Sequence, residues 1–320
     1  MTPLLLLALA GAPQVFCYVE TLWGGVKAEE LDLAPCTHVI EAFLLPDASG
    51  AVRAANGLPR PLLLRAARKL GARTLVAVGG ATIPGATFAA IAADAGALHR
   101  FADALAEFAA AGGYDGVDLD WEFPSPAERA LLVKLVGALR QRLGPRALIS
   151  IGVSPGAALE GYDFAALAPL ADAFVHFGYD FRNPALGPWA NDRQLLPDGA
   201  AHPIEASVRG AASEIVRRGA PREKLIVALP MYASDGRPWT QVRAQVLASA
   251  APLHPLFLEN EVGGVWVSGP QAIEAKARAI LYGSEIDGGH AAGVGLWQLG
   301  HQGTSRDLTA ALRRALAVGR

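Results

Sequence analysis

Cysteine and methionine are almost absent from this chain, with two of each in 320 residues. With Cys17 and Cys36 alone, one intramolecular bridge is the most that can form. Charge is sparse as well: 18% of residues are charged and the formal net charge is −2. So weak a balance gives no reason to expect nucleic acid or an anionic membrane as a partner. Long apolar runs are also missing. Apolar types make up 52% of the chain, yet no stretch reaches the ~18 residues of a membrane-spanning helix. Histidine is scattered at His38, His99, His176, His202, His254, His290 and His301 without metal-ligand spacing, so neither a metal nor another cofactor is expected. No short-period repeat or low-complexity linker interrupts a length that fits one or two domains.

Acidity is concentrated in one place. Residues 114–124 read Tyr-Asp-Gly-Val-Asp-Leu-Asp-Trp-Glu-Phe-Pro, with Asp115, Asp118, Asp120 and Glu122 inside eight positions. A strand sends successive side chains to opposite faces, so Asp118, Asp120 and Glu122 would share one face and Val117, Leu119 and Trp121 the other. Carboxylates roughly 6–7 Å apart in a row repel one another and weaken an ordinary sheet. A chain that keeps them gains raised proton affinity in one member, as a general acid requires. A solvated acidic edge is the bland alternative, and the apolar opposite face argues against it. A metal or other ligand site is the second, and no further ligand cluster supports it.

The apolar pattern alternates short strand-like runs with longer helical ones. Strands are expected at 15–19, 38–43, 74–78, 116–122, 148–153, 173–179, 225–229 and 293–298. Helices are expected at 61–70, 98–111, 126–143, 204–218 and 270–282, several stopping before glycine. Eight strands each followed by helix or loop predict an α/β fold, a (β/α)8 TIM barrel. Its active site would lie at the C-terminal strand ends, where Glu122 falls. Residues 233–267 are the least regular stretch. At the N-terminus, the apolar block from Leu4 to Ala10 and the Ala8-Leu9-Ala10 cleavage pattern suggest a signal peptide over 1–10, with one catalytic barrel over 11–320. The block is short and no Lys or Arg precedes it, so a buried first strand or a disordered tail is the alternative. Cys17 and Cys36 fall in and just before neighbouring strands, at a spacing compatible with a disulfide or with two buried thiols.

Gly152-Val153-Ser154-Pro155-Gly156 matches the G-x-S-x-G elbow of serine hydrolases. There the residue after serine lends its backbone N–H to the oxyanion, and Pro155 has none. The motif is set aside on that ground.

Asp115-Gly116-Val117-Asp118-Leu119-Asp120-Trp121-Glu122 resembles the D-G-x-D-x-D-x-E signature of family 18 glycoside hydrolases, the chitinase-type enzymes. Further likeness runs through Cys36-Thr37-His38-Val39-Ile40 with Ala42-Phe43, Val78-Gly79-Gly80, Tyr179-Asp180, Pro230-Met231-Tyr232 and Gly293-Val294-Gly295-Leu296-Trp297. The resemblance implies a retaining glycoside hydrolase acting on β-1,4-linked N-acetylglucosamine polymers or oligomers by substrate-assisted catalysis. In that reading Glu122 is the acid, Asp120 and Asp118 form a coupled pair behind it, and Tyr179 donates to the acetamido carbonyl. Tyr18, Phe43, Asp180, Tyr232 and Trp297 would bind substrate, with Trp297 as the floor. It further implies a Cys17–Cys36 bridge, a secreted or periplasmic monomer, and non-proline cis peptides at Ala42-Phe43, Glu122-Phe123 and Trp297-Gln298. Two rivals accompany it: an endo-β-N-acetylglucosaminidase on N-glycan or peptidoglycan-type glycans, and a non-catalytic chitin-binding lectin-like protein.

Departures from the family pattern are also visible. Ala77 replaces a serine whose hydroxyl would bond the inner aspartate, and Ala81 replaces a tryptophan platform. About 35 residues between strand seven and its helix are too few for the small α+β domain that many members insert, which implies a shallower cleft. Glu41 stands where a tyrosine is usual. Alternation with Phe43 would point Glu41 into the barrel, either into a rearranged network around Asp118 or at the strand mouth reaching water.

Overall fold

A computed structural model describes residues 11–22, 25–154, 156–180, 208–249, 253 and 260–318. The expected signal segment, residues 1–10, lies outside the described residues, as do residues 204–207 of one expected helix. Eight parallel strands form a closed ring in chain order: Gln14–Val19, His38–Pro46, Arg73–Gly79, Gly116–Asp120, Leu148–Val153, Ala173–Phe177, Leu225–Pro230 and Gly293–Trp297. The first strand pairs with both the second and the eighth, and that pairing closes the barrel. The expected TIM barrel is therefore present.

Helices cover the outside because each strand turns one row of apolar side chains that way. On the fourth strand Val117, Leu119 and Trp121 face the helices and are buried, with Trp121 stacked on Phe88 at 5.4 Å. The inward row forms a separate cluster containing Phe16, Tyr18, Ile40, Ala42, Phe43, Leu75, Ala77, Val175, Ile226 and Ala228. This is barrel filling by alternate side chains, with no open channel needed. The 18-residue helix Ala95–Gly112 starts on Asp94, whose carboxylate accepts from the Ala97 N–H at 2.6 Å, and stops at Gly113 in the left-handed region, φ 69°. That stop turns the chain so that Asp115 opens the fourth strand.

The stretch after the seventh strand holds a helix, Trp239–Ala248, and a two-stranded antiparallel ribbon, Asn260–Val262 with Val265–Val267. No large insertion domain is evident among the described residues. No helix of the described residues is long and apolar enough to cross a membrane.

Glu41 corrects the sequence-based expectation. It does not face the barrel interior, and it is 0% exposed, so it does not reach water either. The pairing of the second and third strands shifts register between Glu41 and Leu44. One extra residue there breaks simple alternation: Ile40, Ala42 and Phe43 all join the inner cluster, while Glu41 turns outward to Arg60 and Tyr114. The network around Asp118 excludes it.

Cys17 and Cys36 form a disulfide with their Cα atoms 5.8 Å apart and a sequence separation of 19. Cross-linking so short a loop is worth on the order of 3 kcal/mol in the chain-entropy account. Replacing both cysteines by serine should therefore lower unfolding stability by about 3 kcal/mol, read from denaturant midpoints at unchanged slope. Alkylation of denatured, unreduced protein from an oxidising source should find no free thiol.

Candidate active site

The site grows from the strand-four motif. Asp115 is separated from the other acids. It sits at the start of the strand, where its Oδ2 accepts from the Thr74 N–H at 2.7 Å and its Oδ1 pairs with Arg73 Nε at 3.0 Å. It staples strands three and four at the N-terminal end of the barrel, far along the strand from the chemistry. Asp118 and Asp120 point inward and are buried, and Glu122 follows where the strand has left the ladder, half-buried.

Asp118 lies in register between Ala77 on one side and Ser150 on the other. Ala77 has no hydroxyl to give. Ser150 supplies one from the opposite neighbour, donating to Asp118 Oδ1, and Tyr18 donates a second hydrogen bond. Burial pushes Asp118 up to about 6, with those two hydroxyls opposing the rise. Asp120 has no such support: its Oδ1 is buried with no hydrogen-bond partner. Burial, then Glu122, then Asp118 push its proton affinity well above the ordinary carboxylate range. Glu122 is raised to about 7, by burial first and the charge of Asp180 second. The three carboxyls are close enough to titrate together.

Aromatic rings enclose these acids. Trp297, on the eighth strand, has its ring centroid 5.4 Å from Tyr18, 5.8 Å from Phe43 and 6.4 Å from Tyr179. Tyr179 in turn lies 6.1 Å from Tyr232, whose hydroxyl donates to Asp180 Oδ1 at 2.6 Å. Burial raises the phenols of Tyr18, Tyr179 and Tyr232 above their ordinary values, so all three remain hydroxyl donors at neutral pH. Every residue expected at the site is thus brought to one end of the barrel. The three expected non-proline cis peptides, Ala42-Phe43, Glu122-Phe123 and Trp297-Gln298, are present.

Sequence reasoning missed three participants. Ser150 is one. Gly152 is another: a Cβ there would stand 2.9 Å from Asp120 Oδ1 and 2.7 Å from the Phe177 ring, so only glycine leaves room for both. Phe177 is the third, stacked on Tyr179 at 5.6 Å. The available signal was the inward pair Ser150 and Gly152 set among outward Ile149, Ile151 and Val153. Among the described residues no group of three or more His, Cys, Asp or Glu is disposed to hold a metal ion.

With this geometry in place, comparison with known proteins decides the family. The profile described as Glycosyl hydrolases family 18 matches residues 14–276. The chain belongs to that family. A Caenorhabditis elegans protein named Probable endochitinase is 31% identical over 259 residues, covering 70% of this chain and 40% of its own length. The chain spans about half the length of the curated relatives it matches. Among solved structures, the Ostrinia furnacalis Group IV chitinase in complex with allosamidin superposes with a TM-score of 0.79 at 20% identity, covering 96% of this chain and 99% of that one. A chitinase-like agglutinin from Robinia pseudoacacia superposes nearly as well, at 0.77 and 18% identity, covering 94% and 99%. The barrel itself therefore does not separate hydrolase from lectin; the side chains must.

The titration of this family 18 site has a definite sign. If Glu122 serves as a general acid it must carry its proton, and any hydrolysis should then decline as pH rises through about 7. Asp180→Asn removes the negative charge that holds that proton, and the alkaline limb of kcat/KM should move to lower pH. A limb unchanged by Asp180→Asn would show that burial alone sets Glu122.

Proposed function

We propose that this chain is a retaining glycoside hydrolase that cleaves β-1,4-linked N-acetylglucosamine chains, with the substrate's own acetamido group as nucleophile. The observation that carries the reading is Asp120 Oδ1, an acceptor buried without a partner within reach of the charge of Glu122, whose pKa is raised to about 7. An unsatisfied buried acceptor costs about 1–3 kcal/mol, and an acetamido N–H would remove that cost.

The proton and electron movements follow from the arrangement. Glu122 gives its proton to the glycosidic oxygen as the bond from that oxygen to the anomeric carbon breaks. The acetamido carbonyl oxygen bonds to the same carbon, closing a positively charged oxazolinium ring. Asp120 accepts the N–H and, ionising as Asp118 takes up the shared proton, offsets the positive charge. Tyr179 orients the carbonyl with its hydroxyl, and Trp297 lies beneath the ring. Water then attacks the anomeric carbon, opening the ring with overall retention, and its proton returns to Glu122.

Two rivals are weighed on the same residues. A lectin has no use for a proton donor held near pH 7, and Glu122 is one. A peptidoglycan-type substrate carries carboxylates, which would enter a pocket whose burial already disfavours the charged forms of Asp120 and Glu122; the same desolvation disfavours it. The Ostrinia furnacalis structure, named as a Group IV chitinase, lends support to the N-acetylglucosamine class. With Ala81 in place of an aromatic platform and a short excursion after the seventh strand, the cleft suits soluble oligomers better than crystalline polymer. The disulfide accords with export, and we place the protein outside the cytosol, with residues 1–10 as its leader and the remainder as one catalytic barrel.

Glu122→Gln should reduce hydrolysis of an unactivated glycoside by at least ~10²-fold while leaving oligosaccharide binding and fold intact. Turnover within tenfold of the parent would remove Glu122 from its role. Mass spectrometry of digests should find cleavage of chitooligosaccharides, none of cellooligosaccharides, which lack the nucleophile, and little of muramic-acid-containing glycans. A thiazoline analogue of the intermediate should inhibit. Equal rates on cellulose and chitin oligomers would overturn the mechanism.

A further inference from the structure

The Glu41–Arg60 pair lies outside the barrel wall and takes no part in the chemistry above, yet it is among the most fully bonded charges in the molecule. Glu41 is completely buried, and the Arg60 side chain is 12% exposed. Glu41 Oε1 accepts from Arg60 Nη1 at 3.2 Å and from the Arg60 backbone N–H at 3.2 Å; Tyr114 donates its hydroxyl to Oε2. The remaining guanidinium donors reach three backbone carbonyls: Val19 at 3.4 Å, Glu20 at 2.7 Å and Asn56 at 2.8 Å. A buried pair this expensive to desolvate is weak evidence for stability alone, because well-packed apolar residues would serve as well.

What it touches is more informative. Val19 follows Tyr18 and lies in register with Glu41, and Glu41 stands two residues before Phe43. The same first-strand exit, at Glu20 and Thr21, is gripped from the other side by Gln298. Its Oε1 accepts from the Glu20 N–H at 3.4 Å, and its Nε2 donates to Thr21 O at 2.9 Å. Gln298 follows Trp297. One continuous set of hydrogen bonds therefore ties the ends of the first, second and eighth strands. Those three ends carry Tyr18, Phe43 and Trp297, whose rings meet at 5.4 and 5.8 Å.

We propose that Glu41 and Arg60 are positioning residues: through Val19–Thr21 and Gln298 they set where the Trp297, Tyr18 and Phe43 rings stand relative to Glu122, and so govern binding of the N-acetylglucosamine unit at the reacting position. The proposal rests on the function above for its ligand, but its geometric content stands without it. Because the pair acts through the strand ends that carry the floor and not through Glu122, its loss should weaken ground-state and transition-state binding alike, raising KM with little change in kcat.

The test is a double substitution, Glu41→Gln with Arg60→Met, which removes both charges and leaves neither buried alone. The control is the corresponding change, Arg140→Met with Asp172→Asn. That guanidinium bonds Asp172 at 2.6 Å and the carbonyls of Leu170, Gly144 and Ala147, at the opposite end of the barrel. The first variant should raise KM for chitooligosaccharides by roughly tenfold with kcat little changed. The control should lose stability with KM unchanged. A second readout needs no substrate: the near-UV circular dichroism of Trp297, taken as the difference between each protein and its Trp297→Phe counterpart. It should change in the Glu41/Arg60 variant and persist in the control. Should the double variant not fold, Arg60→Lys, which keeps the charge and loses the fork, decides by the same two measurements. An unaltered Trp297 signal together with the control's KM would overturn the proposal. If the parent protein cleaves nothing, the proposed function fails, and the Trp297 signal alone decides the positioning role.

Discussion

Three carboxyls in a row on one face of a strand, turned into an apolar barrel, are the constraint to which the rest of the site answers. At ~6.5 Å and an effective dielectric constant of ~20, each neighbouring pair of charges would repel by about 2–3 kcal/mol. Desolvating each ion costs several kcal/mol more, so burial and repulsion both raise proton affinity and burial contributes the larger part. That order agrees with the causes of the shifts, where burial leads for Asp118, Asp120 and Glu122 alike. Hydroxyls then decide which member can ionise first. Ser150 and Tyr18 both point at Asp118, and nothing points at the inner oxygen of Asp120. Burial and mutual repulsion thus raise the proton affinity of Asp120 and Glu122.

The acidic row was legible in the sequence because a strand repeats every two residues and Val117, Leu119 and Trp121 gave the opposite face unmistakable apolar character. The eight strands were legible for a similar reason, though the fourth ends at Asp120, two residues short of the expected bound, because Glu122 leaves the ladder. Ser150 and Gly152 obey the same alternation but are small, and small residues give little contrast to read. Glu41 failed for a different reason. Alternation presumes uninterrupted pairing, and the register shift between Glu41 and Leu44 is a property of two strands together. No pattern within the second strand announces it. Tyr114 and Arg60, the partners that make a buried Glu41 tolerable, come from 73 and 19 residues away.

Subtraction matters to the pocket as much as the groups it contains. A Cβ on Gly79 would stand 2.0 Å from the carbonyl oxygen of Asp120, and one on Gly80 would stand 2.9 Å from the Phe43 ring. Both residues also have positive φ, 116° and 86°, which side chains rarely adopt. With Gly152 they thin the strands flanking the acids, so that strand four and the aromatics of strands two, six and eight can approach. The Ala77 to Ser150 exchange is part of the same economy of space: the hydroxyl that Asp118 needs arrives from the neighbour on the other side, and Ala77 leaves its volume to the inner cluster.

This crowding has a consequence for how a sugar chain would be held. Tyr18, Phe43, Tyr179, Tyr232 and Trp297 form one connected group with adjacent ring centroids 5.4–6.4 Å apart, and Phe177 extends it to Phe123 beside Glu122. Aromatic surface of that kind binds the apolar face of a pyranose, and here it is gathered around one ring position, whereas Ala81 stands where another platform could have extended the cleft. Binding energy would then come mainly from the unit that reacts. Energy concentrated there is available to hold the acetamido group against the anomeric carbon. Energy spread along a polymer serves retention on a surface instead. Among the described residues, the placement of those few rings, and whatever fixes them, would then bear directly on how the sugar that reacts is held.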